Sequence, residues 1–422
     1  MLNWDLAYSD MRQQQSPLLT KQISRLQRDS PFYQACWGDQ DRPSFESLPL
    51  ITKHDLHEAL GSGLLGINIS VREEQIFHIH MSSGTSGRPT NFGLTRADYN
   101  AWMKIFIRGF TIAGIRPHDR VLHAFAMSRG YAGAVPMVDA LYRMGCVALP
   151  IGAEAGSARL IDAIDHLSPR VLYASPSMAR HIAERYEADT GRNPSESSIQ
   201  LLVTGGEPGA GDLRSKSVLS EAWGAEVREV GGGTDVCPMM VAECAEHDGL
   251  HFIAGDEVAI EVIDLDTSER VDLSSPAEGE IVYSHLRRRA NPVMRMRHGD
   301  LVSTQPEPCD CGIKALRIRF IGRSDDMVIV RGVKVFPSSL QEIVSQFVPR
   351  LTGRFIIRRP VEVKADDALT VLCEAIQATP DLRLDFELRA REVLGVRVNC
   401  ELVAAGSLVF EHEQKGRWVE NV

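Results

Sequence analysis

Positive charge is in deficit in this chain: Lys and Arg number 46 against 56 Asp and Glu, a formal net charge of −10. A general nucleic-acid binder carries a basic excess that attracts phosphates, so that class is excluded and any anionic ligand must be met by local cations. Cysteine is scarce, eight in 422 residues, which excludes a disulfide scaffold. No basic segment followed by an apolar stretch opens the sequence, and with the cysteine usage this points to the cytoplasm. Long apolar runs are missing too. The most apolar region, 124–151, is interrupted by Arg129, Asp139 and Arg143, so no membrane partner is expected. Internal repeats and low-complexity tracts are also lacking. What remains is 44% hydrophobic and 24% charged, the balance of an ordinary globular protein. Its length exceeds the roughly 250–300 residues that one core can organise, so at least two domains are expected.

Along the chain, residues 1–40 have helical spacing, with Leu18, Ile23 and Leu26 preceding Pro31, Phe32 and Tyr33. From 74 to 152 strand-like runs at 76–81 and 120–126 alternate with a helical segment at 97–113. A second series follows, with strands at 171–174, 199–204 and 226–230 and helices at 176–186 and 212–223. That alternation predicts parallel βαβ units. The stretch 258–304 reads instead as β-hairpins. After Gly322 come a strand at 327–331, a helix at 338–347, strands at 354–363 and 369–376, a helix at 382–394 and a strand at 397–403. The expected fold is α/β: a large doubly wound domain with a β-subdomain over 1–321, then a small α+β domain over 322–422.

The sharpest local feature is His80-Met81-Ser82-Ser83-Gly84-Thr85-Ser86-Gly87-Arg88-Pro89-Thr90, directly after a predicted strand. Glycines and hydroxyls let successive backbone N–H groups approach phosphate oxygens. It is not the Gly-x-x-x-x-Gly-Lys-Ser/Thr loop, and a Ser/Gly-rich surface loop is the competing reading. The segment resembles the Ser-Ser-Gly-Thr-Thr-Gly-Lys-Pro signature of adenylate-forming enzymes, and four further segments follow in that superfamily's order. Gly205-Gly206-Glu207-Pro208 resembles its adenine-packing turn, and Gly232-Gly233-Thr234-Asp235 stands where a Gly-x-Ser/Thr-Glu segment sits. Arg297-His298-Gly299-Asp300-Leu301 resembles Arg-Thr-Gly-Asp-Leu, and Gly322-Arg323-Ser324-Asp325-Asp326-Met327 resembles the hinge. Arg331-Gly332-Val333-Lys334-Val335-Phe336-Pro337 narrows the resemblance to the phenylacetate–CoA ligase branch. It spans nearly the whole chain, from Pro31-Phe32-Tyr33 and Leu48-Pro49-Leu50-Ile51-Thr52-Lys53 onward.

The resemblance implies an ATP-dependent acid–CoA ligase that activates a small carboxylic acid as its acyl adenylate and passes the acyl group to a thiol. Such catalysis is mainly positioning and charge neutralisation. Ser82, Ser83, Gly84, Thr85 and Gly87 would cradle phosphates, and Arg88 would stand where lysine is usual, clamping two oxygens rather than acting as a point charge. Asp300 would accept both ribose hydroxyls, supported by Arg323. Asp235, next to Thr234, would hold Mg²⁺, though it is one methylene shorter than the usual glutamate; a metal-free glycine-rich turn competes. Lys415 would deliver an ammonium to the reacting carboxylate, although the glycine that usually precedes this lysine is missing and an exposed tail lysine competes. Rotation about Asp325 would exchange the lid faces, and Arg331 and Lys334 would meet coenzyme A phosphates or remain solvated edge charges.

Phe125, Met127, Tyr131 and Met137 would line an apolar slot favouring a flat aromatic acid, or belong to the core. Arg129 would pair with a substrate substituent or cap a helix. Other acceptors, a carrier-protein thiol or an amine, fit the same first step, and a non-catalytic nucleotide-binding relative would share the motifs. A homodimer is a candidate assembly, and the sequence leaves the oligomeric state open. Finally, Cys244, His251, Cys309 and Cys311 would form a closed Cys₃His zinc site, with His247 competing for the nitrogen position and free thiols as the alternative. Relatives in the branch carry a similar Cys-Pro-Cys-Gly turn. Four protein ligands leave no place for water, so such a zinc is structural.

Overall fold

The structure is a computed structural model that describes residues 3–38, 43–58, 65–81, 91–128, 130–207, 213–324, 326–330, 333–359, 368–408 and 419–421. The chain divides into two compact units. The first comprises Met1–Gly206, Val218–His298 and Val302–Phe320; the second comprises Glu207–Ser217, Gly299–Leu301 and Ile321–Val422.

The first unit opens with α1 (Tyr8–Asp29) and α2 (Pro31–Trp37). In α1 Met11, Gln15, Leu19, Gln22, Ile23 and Leu26 recur on one buried face, and Gln15 and Gln22 donate to the carbonyls of Gly255 and Arg288 at 2.8 Å. Ser30 ends the first helix and caps the second, where Pro31 occupies the first turn. After α3 (Lys53–Glu58), β1 (Ile76–Met81) and β2 (Asn91–Thr95) form an antiparallel pair.

There follow α4 (Arg96–Ile112), β3 (Arg120–His123), α5 (Val135–Arg143), β4 (Val147–Pro150), α6 (Ser157–Leu167), β5 (Val171–Ala174), α7 (Pro176–Thr190), β6 (Leu201–Thr204), α8 (Leu213–Trp223) and β7 (Glu226–Gly233). Strands β3 to β7 pair in parallel in the order β4-β3-β5-β6-β7. Their short apolar runs are buried on both faces, as parallel strands require. Alternate residues serve opposite cores. Leu122, Leu172 and Leu202 pack with Leu160, Ile164, Ile182, Tyr186 and Trp223, whereas Val121, Val171 and Leu201 join Phe106, Phe110 and Leu141. Helices therefore cover both faces of a doubly wound sheet.

The sheet continues through β8 (Cys237–Glu243), β9 (Leu250–Phe252), β10 (Val258–Ile263), β11 (Ala277–His285), β12 (Met296–Gln305) and β13 (Arg317–Arg323), with β7–β8, β8–β9, β9–β13 and β10–β11 antiparallel, completing eleven strands in the order β10-β11-β12-β13-β9-β8-β7-β6-β5-β3-β4. The 258–304 stretch thus supplies the expected hairpin pairing. Strand β3 is shorter than the 120–126 read from the sequence. The Ser128 amide and hydroxyl both bond Glu154 Oε1 at 2.7 Å, and this contact turns the chain away from the sheet after Ala124.

The second unit contains the hairpin β14 (Val328–Val330) and β15 (Val333–Val335), α9 (Pro337–Ser345), β16 (Leu351–Arg359), β17 (Leu369–Ala375), α10 (Pro380–Leu394), β18 (Val398–Ala404) and β19 (Val419–Asn421). Its four-stranded sheet runs β18-β17-β16-β19, with Phe355, Val371, Leu340, Ile343 and Phe386 in one core. Among the described residues no helix is long and apolar enough to cross a membrane.

One buried carboxylate joins distant parts of the first unit. Asp98 Oδ2 accepts the Thr95 amide and hydroxyl at 2.9 and 2.8 Å in a capping box, and its two oxygens also accept the amides of Arg289 and Ala290. Asp98→Ala leaves these donors unsatisfied, and we expect denaturant unfolding to show a loss of roughly 2–4 kcal/mol; a change below about 0.5 kcal/mol would show that water replaces the carboxylate.

Candidate functional site

Ligands of doubly wound sheets bind beyond the carboxyl ends of the strands where the strand order reverses. Here β4 lies on one side of β3 and β5 and β6 on the other, so the reversal falls at β3. The loops after β3 and β6 carry Phe125 and the Gly205-Gly206 turn. A Cβ at Gly205 would collide with the Val230 carbonyl, so only glycine lets this turn pass so close to β7. A Cβ at Gly206 would lie 3.3 Å from the Phe125 ring. Phe125 packs on Tyr173 with ring centroids 4.6 Å apart, and His123 lies 5.3 Å from the same tyrosine. Tyr173 and His123 are buried in the core, and Phe125 alone of the three rings is half-buried in the loop. Met137 is buried in the core and Tyr131 bridges to β1, so two of the four expected lining residues serve the framework.

Glu154 was not legible as a site residue, because a loop acid carries no motif. Burial would raise its carboxyl, but the Ser128 hydroxyl and amide hold it down at about 2. The Ser128 amide and hydroxyl thus tie the loop bearing Phe125 and Met127 to the Glu154 carboxylate.

Three segments converge beside β1. Met81 pairs with Asn91 across the hairpin, so residues 82–90 leave and return at one point. The Met81 amide donates to Gly130 at 2.9 Å, and His80 Nε2 lies 3.1 Å from the Thr234 carbonyl. Burial pushes the His80 imidazole well below its ordinary range, so the neutral ring donates here. Ser82, Ser83, Gly84, Thr85, Gly87 and Arg88 themselves lie outside the described residues, as do Arg129, Pro208, Asp325, Arg331 and Lys415. Gly206 and Glu207 lie in the turn after β6. Lys334 stands opposite Ile329 in the β14–β15 hairpin.

Asp235 is buried, and the structure gives it partners the sequence did not reveal. Lys53 Nζ lies 2.7 Å from its Oδ2, and His298 Nε2 lies 3.6 Å from the same oxygen. The His298 ring packs against Gly233, where a Cβ would come within 2.5 Å of Nε2. Burial would raise the Asp235 carboxyl, but His298 and Lys53 outweigh it and hold the group well below the usual carboxylate range. Among the described residues this oxygen accepts no hydrogen bond, and the ammonium faces it as an ion pair brought there by the approach of α3 to the turn after β7.

Asp300 and Arg323 meet within the second unit, Arg323 Nη1 donating to Asp300 Oδ1 at 2.8 Å beside the Gly299 turn. One Asp300 oxygen is thereby oriented by a guanidinium, which suits a carboxylate that accepts hydroxyls.

Cys244, His251, Cys309 and Cys311 come together, each offering a ligand atom within 4.8 Å of the others. Cys244 Sγ and Cys309 Sγ are 3.8 Å apart, and Cys311 Sγ lies 3.4 Å from His251 Nε2. A zinc tetrahedron with ordinary bond lengths has edges of about 3.8 Å between sulfurs and about 3.6 Å between sulfur and nitrogen. The four donors therefore fit zinc. Burial pushes the Cys244 thiol up to about 12 and lowers the His251 imidazole, so a neutral imidazole faces thiols that a cation would deprotonate. His247 is committed elsewhere: its Nε2 lies 2.6 Å from Arg228 Nη1 and its Nδ1 3.2 Å from Glu243.

The family pattern described as AMP-binding enzyme matches residues 16–286. A phenylacetate-coenzyme A ligase of Thermus thermophilus is 28% identical over 362 residues, covering 83% of this chain and 78% of the relative. A phenylacetate-coenzyme A ligase of Escherichia coli is 30% identical over 302 residues, 71% of this chain and 66% of the relative. Among solved structures, a 2-hydroxyisobutyryl-CoA ligase in the postadenylation state, bound to an acyl-AMP, superposes with a TM-score of 0.87 at 30% identity, covering 99% of this chain and 91% of that one. The same ligase has been solved with 2-HIB-AMP and CoA in its thioesterification state, with a TM-score of 0.71 at 31% identity over 99% of this chain and 91% of that one.

Proposed function

The chain belongs to the AMP-binding enzymes, in their phenylacetate–CoA ligase-like branch, and we propose that it is an ATP-dependent, AMP-forming acid–CoA ligase. The observation that carries this reading is the convergence of the β1 end, the Gly130-Tyr131 loop and the Thr234-Asp235 turn around the point where residues 82–90 depart.

In the first step a substrate carboxylate oxygen attacks the α-phosphorus of ATP and pyrophosphate leaves. In the second the CoA sulfur attacks the acyl carbonyl, its proton is lost and AMP departs. Ser82, Ser83, Gly84, Thr85, Gly87 and Arg88 cradle the departing phosphates; Gly206, Glu207 and Pro208 pack on adenine; Asp300, oriented by Arg323, accepts the ribose hydroxyls. Lys415 serves adenylation, and Arg331 and Lys334 meet the acceptor's phosphates. The core extends over 1–321, and 322–422 is the lid that turns about Asp325. Magnesium arrives with the nucleotide's phosphates. The cytoplasm is the compartment, a reading supported by eight unpaired cysteines.

The acid is small. Phe125, half-buried in the loop after β3, offers a ring face to an aromatic substrate, and the relatives' names cover both an arylacetate and a short hydroxy acid. A carrier-protein thiol is the alternative acceptor.

We expect ATP–pyrophosphate exchange with at least one member of a panel of aromatic and short hydroxy acids, and CoA consumption with the same acid. Asp300→Ala should cut kcat/KM for ATP roughly ten- to hundredfold, from the ~1.5–3 kcal/mol of a charge-assisted bond. No exchange with any acid would leave only a nucleotide-binding relative, and exchange without CoA use would move the acceptor elsewhere.

Lys415→Ala should depress adenylation far more than thioester formation from supplied acyl adenylate, because its ammonium acts in the first step alone. Equal losses in the two half-reactions would remove Lys415 from that role.

For the Cys₃His cluster we propose a structural zinc that ties the end of β8 to β9 and to the turn before β13. Protein purified without added metal should contain about one zinc per chain by elemental analysis. Changing Cys309 and Cys311 together to Ser should abolish it; retention of zinc by that variant would defeat the assignment.

A further inference from the structure

Lys53 is the first residue of α3 and lies far in sequence from every nucleotide-binding segment considered above, yet its ammonium reaches the turn after β7. The pair it makes with Asp235 is lopsided: the lysine side chain is 44% exposed and the aspartate 2%. A buried carboxylate is costly to desolvate, and a half-exposed lysine recovers little of that cost by itself.

The location gives the pair a use. Asp235 follows Thr234, whose carbonyl meets His80, and His80 lies one residue before the end of β1, from which Ser82 continues. The ammonium is thus tethered to the base of the segment expected to hold the phosphates. It has three N–H donors, and the exposed side of the group can turn them toward an arriving anion while the ion pair with Asp235 is kept. His298, packed on Gly233, approaches the same Asp235 oxygen and fixes the carboxylate from the other side. A cation of the protein therefore faces the carboxylate at which the family resemblance places a metal.

We propose that Lys53 is a polyphosphate-binding residue of the nucleotide site, with Asp235 and His298 as positioning residues that hold its ammonium. The inference rests on the ligase reading above. Lys53 contacts the phosphates that leave as pyrophosphate, so it serves ATP and pyrophosphate but not AMP. It also supplies beside Asp235 the charge that a directly bound metal would otherwise bring.

Calorimetric titration with ATP and with AMP, in the absence of any acid, separates the possibilities. Lys53→Met keeps the length and packing of the side chain but removes its charge. It should weaken ATP binding about tenfold or more, the loss of a charge-assisted contact, while leaving AMP binding within about twofold. The double variant Lys53→Met/Asp235→Asn removes the stranded buried charge as well, so its thermal stability should recover while its ATP affinity stays low. Equal losses for ATP and AMP, no loss at all, or ATP affinity restored in the double variant would each overturn the assignment. If the unaltered protein binds neither nucleotide, the ligase reading falls and takes this one with it; if it binds both and Lys53→Met fails to discriminate, Lys53 alone is refuted.

Discussion

The turn from Gly231 to Val236 is the constraint on which the rest of the first unit depends. Strand β7 enters it parallel to β6, and β8 leaves it antiparallel to β7, so the two halves of the large sheet are joined through these few residues. Three acceptors in the turn are met by distant parts of the chain. The Val236 carbonyl accepts Arg288 Nη1 at 2.7 Å and lies 3.1 Å from His285 Nε2; the Thr234 carbonyl meets His80, and the Asp235 carboxylate holds Lys53. Arg288 is buried and lies over Trp102; among the described residues its guanidinium donates to the carbonyls of Val236 and Gly93 rather than to a carboxylate. A buried guanidinium spent on backbone oxygens is worth retaining only where the backbone position itself matters.

That convergence explains how much of the site could be read from sequence. Motifs such as Arg297-His298-Gly299-Asp300-Leu301 are contiguous, because one turn must present several groups at fixed spacing. Partnerships across the sheet carry no such signature. Nothing near Thr52-Lys53 marks the lysine as a partner of Asp235, and nothing near Glu154 marks it as the acceptor for Ser128, since both pairings exist only once the strand order is fixed. The alternation of strands and helices did disclose the doubly wound half, where period and burial agree. The end of β3 was overrun, because an apolar run looks the same whether it continues a strand or turns into a loop held by a remote acid.

The cysteine cluster shows the opposite case. Residue type alone narrowed its members, since few arrangements of sulfur and imidazole are chemically idle, and the uncertainty between His247 and His251 was topological. His251 sits on β9, facing Arg317 of β13 in register, which carries its ring to the turn containing Cys309 and Cys311. His247 precedes that strand in the β8–β9 connection and is captured by Arg228 and Glu243. A four-residue separation is decided by where a strand begins.

In a chain of net charge −10, an anionic ligand cannot be gathered by the overall field and must be met by individual cations. Three cations of the described motif segments already have acidic partners: in the first unit Lys53 has Asp235 and Arg297 has Glu280, and in the second Arg323 has Asp300. Such pairing lowers the attraction each cation exerts at a distance but fixes its position before the ligand arrives. For a reaction whose catalysis is chiefly alignment of a carboxylate, a phosphorus atom and a leaving group, position is the more valuable property, because less ordering remains to be done in the transition state. The acidic composition and the paired cations are therefore two sides of one arrangement, in which recognition depends on close contact rather than on long-range steering.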